Sequence, residues 1–334
     1  MKIAIICKGG INTGLGHLHR VISFVEDTRQ YADYSIIAII DKGLEVLFKN
    51  ISNVSFIYSE SELNEKVKIL DNQINNCLID CVELQKESQI ILRERFQTII
   101  SLSPVFNNYD IIDVLFTRFT NSNYPKHVKV YSGLQYSIFN SYCREISEEE
   151  YQKTLNEKPL TIAISMGGVD APNKTLEILK SLVKLEIDLT IWVLLGEGYS
   201  HSYQDLVDVI RKDSTHEIVM AKTNRSMWKI LSNCSLAVFA GGLTTFEAIY
   251  AGLPTINIFE KEIHQSIISN ELIEKNVSIN LGLLNLDTLE KLNEQLTLFY
   301  HNRIELLKMR QNTKGLLDKR GAVRTIQKIQ ELVS

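Results

Sequence analysis

Val238-Phe239-Ala240-Gly241-Gly242-Leu243-Thr244-Thr245-Phe246-Glu247-Ala248-Ile249-Tyr250-Ala251-Gly252-Leu253-Pro254-Thr255-Ile256 reads as strand, turn, helix, turn, strand. The first apolar run ends at Ala240, and Gly241-Gly242 lets the chain turn sharply. Leu243, Thr244 and Thr245 open a helix. Gly252-Leu253-Pro254 ends that helix and feeds the next apolar run. A strand, a helix and a second strand in so short a span make a βαβ unit, and hence a parallel sheet. The unpaired N–H groups of the helix start, beside a glycine turn, form an anion site suited to a diphosphate. Glu247 lies one turn in, where a carboxylate can accept two hydrogen bonds from a ribose diol. A solvated helix carboxylate is the plainer reading of the same residue.

The pattern repeats along the chain. Short β-branched runs at 3–7, 35–40, 54–58, 77–81, 98–102, 114–117 and 128–131 are followed, after a polar stretch, by runs at 160–166, 189–195, 217–221, 236–240, 255–259 and 277–281. Many are apolar throughout, as strands are when helices cover both faces of their sheet. Helix-length segments separate them. Residues 143–159 are rich in Glu, Ser and Lys, so the domains are drawn as 1–150 and 151–334. Residues 286–334 are helical by period and close the second domain. The expected fold class is α/β, with two doubly wound Rossmann-like domains facing each other across a cleft. Ligands in such folds bind at the carboxyl ends of the strands.

The 334 residues carry 36 basic and 40 acidic side chains, a net charge of −4. A chain so near neutrality has no global field with which to hold nucleic acid. Cys7, Cys77, Cys81, Cys143 and Cys234 are odd in number, and several lie in apolar runs; reduced, buried thiols of a cytoplasmic protein are expected. Cys77 and Cys81 have no second Cys/His pair at zinc spacing, so no metal site is assigned. The N-terminus does not read as a signal peptide, and no apolar run approaches the ~20 residues that span a bilayer.

Two further loops carry chemistry. The first strand runs into Lys8-Gly9-Gly10-Ile11-Asn12-Thr13-Gly14-Leu15-Gly16-His17-Leu18-His19-Arg20. The helix after it begins near Gly16 and puts His17, a potential proton acceptor, in its first turn. This is neither the dinucleotide fingerprint nor a P-loop: Gly14-Leu15-Gly16 leads into His-Leu-His, the acid that closes strand two is Asp41, and no Gly-Lys-Ser/Thr occurs. The second domain opens with Ser165-Met166-Gly167-Gly168-Val169-Asp170-Ala171-Pro172-Asn173, with Asp170 or Asn173 as helix cap. A backbone approach to phosphate and simple helix-start chemistry both fit this turn. His264-Gln265 open a later helix. No Asp-x-Asp occurs, so loop N–H groups and helix dipoles must stabilise any leaving diphosphate.

Together these segments resemble the GT-B nucleotide-sugar enzymes, and among them the UDP-sugar hydrolase of pseudaminic acid biosynthesis and its spore-coat-polysaccharide relatives. The matching pieces are Gly14-Leu15-Gly16-His17-Leu18-His19-Arg20, Tyr131-Ser132-Gly133-Leu134-Gln135-Tyr136, Ser165-Met166-Gly167-Gly168-Val169-Asp170 and Ala240-Gly241-Gly242-Leu243-Thr244-Thr245-Phe246-Glu247. Gly252-Leu253-Pro254, His264-Gln265 and Asp318…Gly321…Arg324 also match. The resemblance implies a UDP-linked deoxyamino sugar as substrate, with no cofactor and no metal. UDP would dock on the second domain, with Glu247 on the ribose and Gly241, Gly242, Leu243, Thr244 and Thr245 on the phosphates. His17 would act as base and activate water for inverting attack at the anomeric carbon. Gly14, Gly16, Arg20, Gly167, Gly168, His264 and Gln265 would complete the binding set.

A glycosyltransferase passing the sugar to a glycan, lipid or protein acceptor, or a non-catalytic nucleotide-sugar-binding subunit, are the alternatives. The chain departs from the pattern on the sugar side. Cys7-Lys8-Gly9-Gly10 replaces an Arg-x-Asp start, Asp80-Cys81-Val82 lacks the tyrosine of Asp-x-Tyr, and Ser101-Leu102-Ser103-Pro104 replaces an acidic pair.

Overall fold

A computed structural model describes residues 1–119, 124–212, 215–223, 227–259, 262, 265 and 270–333. The chain divides into two compact units, Met1–Ser141 with Asp318–Ser334, and Tyr142–Leu317.

The first unit is built on strands β1 (Lys2–Gly9), β2 (Asp33–Ile40), β3 (Val54–Ile57), β4 (Asn76–Asp80), β5 (Thr98–Ser101), β6 (Val114–Thr117) and β7 (Lys129–Ser132). They form one sheet in the order β3-β2-β1-β4-β5-β6-β7, with every pairing parallel. Helices α1 (Gly16–Thr28), α2 (Leu63–Lys68) and α3 (Lys86–Arg95) run between strands. The continuous apolar runs have the cause expected of them: consecutive residues Ile3, Ala4, Ile5 and Ile6 are all fully buried, so both faces of β1 are covered. Each such large aliphatic contributes about 1.5–3 kcal/mol of transfer energy. Helix α1 buries Leu18, Val21, Ile22 and Val25, a stripe at spacing i, i+3, i+4, i+7.

The second unit holds α4 (Glu148–Asn156), β8 (Leu160–Ser165), α5 (Lys174–Leu182), β9 (Leu189–Leu195), α6 (Tyr203–Lys212), β10 (Glu217–Lys222), α7 (Trp228–Leu231), β11 (Leu236–Phe239), α8 (Leu243–Ala251), β12 (Thr255–Phe259) and β13 (Ser278–Leu283). Its parallel sheet runs β10-β9-β8-β11-β12-β13. Helices Asn270–Glu274, Leu286–His301 and Ile304–Thr313 complete it.

In both sheets the order reverses beside the unit's first strand, between β1 and β4 and between β8 and β11. The carboxyl ends of these pairs are where a doubly wound sheet opens a crevice for a ligand.

The expected boundary at 150/151 differs from the observed division at Ser141/Tyr142, and the last helix, Gly321–Val333, belongs to the first unit. It buries Ala322, Thr325, Ile326 and Ile329, again at i, i+3, i+4, i+7. Asp318 holds Arg324 with both carboxylate oxygens, and Arg324 Nη1 donates to the Gln135 carbonyl at 3.2 Å. Gly321 rests on the Ser137 carbonyl, where any Cβ would overlap it. The Asp318…Gly321…Arg324 pattern is thus explained by helix docking.

A small cavity beside this junction is lined by Asp27, Ser137, Ile138, Phe139, Ser141, Lys319 and Ala322. Burial, with Glu26 adding to it and Lys319 opposing, pushes the Asp27 carboxyl up to about 6. Its pKa is higher folded than unfolded, so its contribution to stability is present below about pH 4 and lost as pH rises through about 6. Asp27→Asn should therefore match the wild type near pH 4 and exceed it in urea midpoint at pH 7.5. A difference that stays flat with pH refutes this.

Candidate functional site

The described site residues fall into two clusters, one in each unit, both at a point where strand order reverses. In the first unit the glycine loop is closed by Gly14 N–H donating to the Gly10 carbonyl at 2.8 Å and Gly10 N–H returning to the Gly14 carbonyl at 3.2 Å. Asp41, at the end of β2, accepts the Ile11 N–H at 2.7 Å. It comes so close that a Cβ on Gly10 would overlap its carboxylate. The acid that does not serve a dinucleotide braces the loop instead.

Helix α1 starts at Gly16 without a side-chain cap. This puts His17 and Arg20, three residues apart and on one face, over the end of β4. Cys7 pairs with Asp80 across the β1–β4 register, so the carboxylate ending β4 lies beneath that first turn. His17 Nδ1 donates to Asp80 Oδ1 at 2.6 Å. Arg20 Nε donates to Asp80 Oδ2 at 2.7 Å, and its Nη2 donates to Oδ1. Arg20 Nη2 also lies 3.1 Å from His17 Nδ1. The carboxylate claims the Nδ1 proton and leaves the Nε2 lone pair as the acceptor. Asp80 is fully buried, and burial alone would raise its carboxyl; Arg20 and His17 overcome this and hold it below the usual range. The triad is therefore an oriented base on an ionised carboxylate.

The sequence makes His17 a base and Arg20 a binding residue; the structure spends the Arg20 guanidinium on Asp80. Asp80 itself stands out in the sequence only for the tyrosine missing beside it. The available signal is an acid ending the otherwise apolar strand of Asn76–Asp80, at the neighbour of β1. Lys8, in the Cys7-Lys8-Gly9-Gly10 stretch that replaces the Arg-x-Asp start, pairs with buried Glu60 at 2.8 Å.

In the second unit Phe239 pairs with Ser165, so the turns at Gly241-Gly242 and Gly167-Gly168 emerge side by side from β11 and β8. Gly167 is exposed and Gly168 half-buried. The loop is braced by the one after β9: Gly198 N–H donates to the Gly168 carbonyl at 2.8 Å, and His201 Nε2 lies 2.8 Å from the Asp170 carbonyl. Between the two candidate caps, Asp170 does the capping, accepting the Lys174 and Thr175 N–H groups at 2.8 and 2.9 Å. Asn173 occupies the cap position in a left-handed conformation without a capping bond.

Gly241 has φ +73 and backs onto the Phe259 ring; Gly242 is exposed, and α8 starts after it with no side-chain cap. Leu243 and Thr244 are half-buried at this start. The Thr245 hydroxyl turns inward to Asn257 Oδ1 at 2.8 Å. Glu247 is 6% exposed, and its Oε2 accepts the Trp228 indole N–H at 3.1 Å. At the other end of α8, Arg310 donates to the Gly252 and Ile146 carbonyls at 2.6 Å each, fixing the helix and countering its negative pole. Gln265 is helical and exposed, and His264 lies outside the described residues.

The chain superposes on MurG of Acinetobacter baumannii with a TM-score of 0.71, covering 99% of this chain and 100% of that one at 16% identity. Its fold is GT-B. HepE of Anabaena, solved in complex with UDP-glucose, superposes with a TM-score of 0.67 at 11% identity over 100% of both chains. In sequence the chain is 21% identical to the spore coat polysaccharide biosynthesis protein SpsG of Bacillus subtilis, covering 99% of this chain and 98% of SpsG. It is 24% identical over 283 residues to an uncharacterised protein of Methanocaldococcus jannaschii, covering 81% of this chain and spanning 58% of that relative's length. No family model matches. Among the described residues, no helix of this GT-B chain is long and apolar enough to cross a membrane.

Proposed function

We propose that the chain is an inverting, metal-independent enzyme that cleaves the anomeric C–O bond of a UDP-linked deoxyamino sugar, with water as acceptor, in bacterial surface glycan or nonulosonic acid biosynthesis. The observation that carries this reading is the Nδ1 contact of His17 with Asp80, which leaves Nε2 as an oriented proton acceptor at the crevice of the first sheet. His17 Nε2 takes a proton from water, and the water oxygen bonds to the anomeric carbon. The sugar–phosphate C–O bond breaks, and UDP departs with its electron pair. A positioned base of this kind contributes ~10²–10⁴-fold.

The second unit holds the nucleotide. The uncapped N–H groups of α8 and the Gly241-Gly242 turn receive the diphosphate and stabilise it as it leaves. Glu247, oriented by Trp228, reads the ribose diol. Gly167 and Gly168 border the same turn, and Gln265 with His264 follows β12. Gly14 and Gly16 allow close backbone approach beside the base. The HepE complex with UDP-glucose, on the same fold, supports the uridine assignment, and the SpsG name supports a role in glycan biosynthesis.

A panel of UDP-sugars incubated with the protein, without any acceptor, should give equal amounts of UDP and free reducing sugar. No free sugar, but product once a glycan or lipid acceptor is added, would turn the hydrolase into a transferase. UDP at about 100 times its dissociation constant should add ~2.7 kcal/mol of stability. No shift with UDP refutes the nucleotide assignment.

A further inference from the structure

Lys8 stands at the carboxyl end of β1, beside the reversal of strand order between β1 and β4. Cys7 is level with Asp80, so Lys8 is one residue further out than the carboxylate that orients His17. Successive side chains of a strand point to opposite faces of its sheet. Lys8 therefore leaves β1 on the face away from Cys7 and Asp80, where it meets the loops after β3 and β4. Its Nζ donates to Glu60 Oε2 at 2.8 Å and lies 3.5 Å from the Glu83 carbonyl. Glu60 Oε1 accepts the N–H of Gln85, the residue before α3, at 2.5 Å. The base and the ammonium thus flank the same pair of strand ends from opposite faces.

Burial pushes the Glu60 carboxyl up, but Lys8, the Gln85 N–H and the Ser88 hydroxyl outweigh it and hold the group below its ordinary range. Its charge matches that of the ammonium beside it. The two ends of the pair differ in exposure: the Glu60 side chain is 5% exposed and that of Lys8 22%, so the lysine is the end that reaches solvent. An ammonium has three N–H donors. Among the described residues, Glu60 and Glu83 take two of them, and the third is available to a ligand. A second carboxylate or a phosphate there would lie against Glu60, a like-charge contact that costs affinity. The oxygen that suits this donor is a neutral one, a hydroxyl or an amide carbonyl.

We propose that Lys8 donates to a hydroxyl or amide carbonyl oxygen of the sugar presented to His17, and so helps decide which sugar is accepted. This rests on the nucleotide-sugar reading and adds a residue that reads the sugar rather than the nucleotide. Calorimetric titration of the full chain with UDP, UDP-glucose and UDP-N-acetylglucosamine tests it. Lys8→Met alone would leave Glu60 charged and buried without its cation, so the variant to use is Lys8→Met with Glu60→Gln. It should bind at least one of the two sugar nucleotides roughly tenfold more weakly than the wild type, the contribution of one charged hydrogen bond, and UDP within about twofold. Loss for UDP-N-acetylglucosamine alone identifies an amide carbonyl; loss for UDP-glucose, alone or as well, identifies a hydroxyl. Lys8→Arg keeps the charge but places its donors differently, and should lose part of the same affinity. All three ligands weakened equally, UDP weakened alone, or none weakened overturns the proposal and leaves the pair as a brace between loops. A wild type that binds UDP but neither sugar nucleotide overturns it too. Should the double variant not fold, Lys8→Arg decides: a loss confined to the sugar nucleotides supports the proposal, and three unchanged affinities overturn it. Failure of the wild type to bind UDP removes the nucleotide reading and this inference with it, whereas UDP bound normally and sugar nucleotides indifferent to Lys8 remove the inference alone.

Discussion

His17→Ala should lower the turnover number for UDP release by ~10²–10⁴-fold while leaving UDP affinity within about twofold. The split follows from where the residue stands. His17 is in the first unit, in the first turn of α1, and the groups assigned to UDP are Gly241, Gly242, Leu243, Thr244 and Glu247 of the second. Arg20 still holds both oxygens of Asp80 once the ring is gone, so the fold should survive.

Asp80→Asn makes the contrasting case. The substitution removes the acceptor that orients the ring, so turnover should again fall steeply. It also strips the counter-charge from Arg20, whose guanidinium is 6% exposed. Breaking a buried pair by removing one partner costs roughly 3–5 kcal/mol. Asp80→Asn should therefore lose stability and activity together, and His17→Ala activity alone. Turnover unchanged in His17→Ala removes the base assignment, and an equally destabilised His17→Ala makes the residue structural. Added imidazole should restore part of the turnover of His17→Ala and none of that of Asp80→Asn.

That contrast is not legible in the chain, because Asp80 is sixty residues from Arg20 in sequence and meets it through the β1–β4 pairing. What is legible is local. Runs apolar at every position, as in Ile3 to Ile6, are strands covered on both faces, so both sheets follow from them. The turns at Gly14, Gly167 and Gly241 mark the ends of first and fourth strands, which parallel topology then places at the crevices. What is not legible depends on partners distant in sequence. The periodic stretch 286–334 breaks into helices Leu286–His301, Ile304–Thr313 and Gly321–Val333, and the last returns to the first unit. Amphipathic period says that a face is buried, not against what. Thr245 reads as a phosphate ligand beside Thr244, yet helix phase turns its hydroxyl to Asn257 on the adjoining strand.

Two adjacent glycines provide the sharpest division between folding and binding in the second unit. Gly241 has φ +73, a left-handed conformation that costs a non-glycine residue about 1–3 kcal/mol. A Cβ there would also overlap the ring of Phe259, itself fully buried in β12, and overpacking a core typically costs a further ~1–3 kcal/mol. Gly241→Ala should thus destabilise the fold by roughly 2–6 kcal/mol, in a urea titration without ligand. Gly242 has φ −94 and is exposed, and a Cβ there would meet nothing within 4 Å, so Gly242→Ala should leave the unfolding midpoint almost unchanged. If the diphosphate approaches the backbone at the start of α8, the new methyl stands in its path, and UDP affinity should fall at least tenfold. Should Gly242→Ala bind UDP as tightly as the wild type, the turn is a folding device alone and the diphosphate lies elsewhere. Should Gly241→Ala prove as stable as the wild type, the close approach of this turn to Phe259 is not what holds α8 in place.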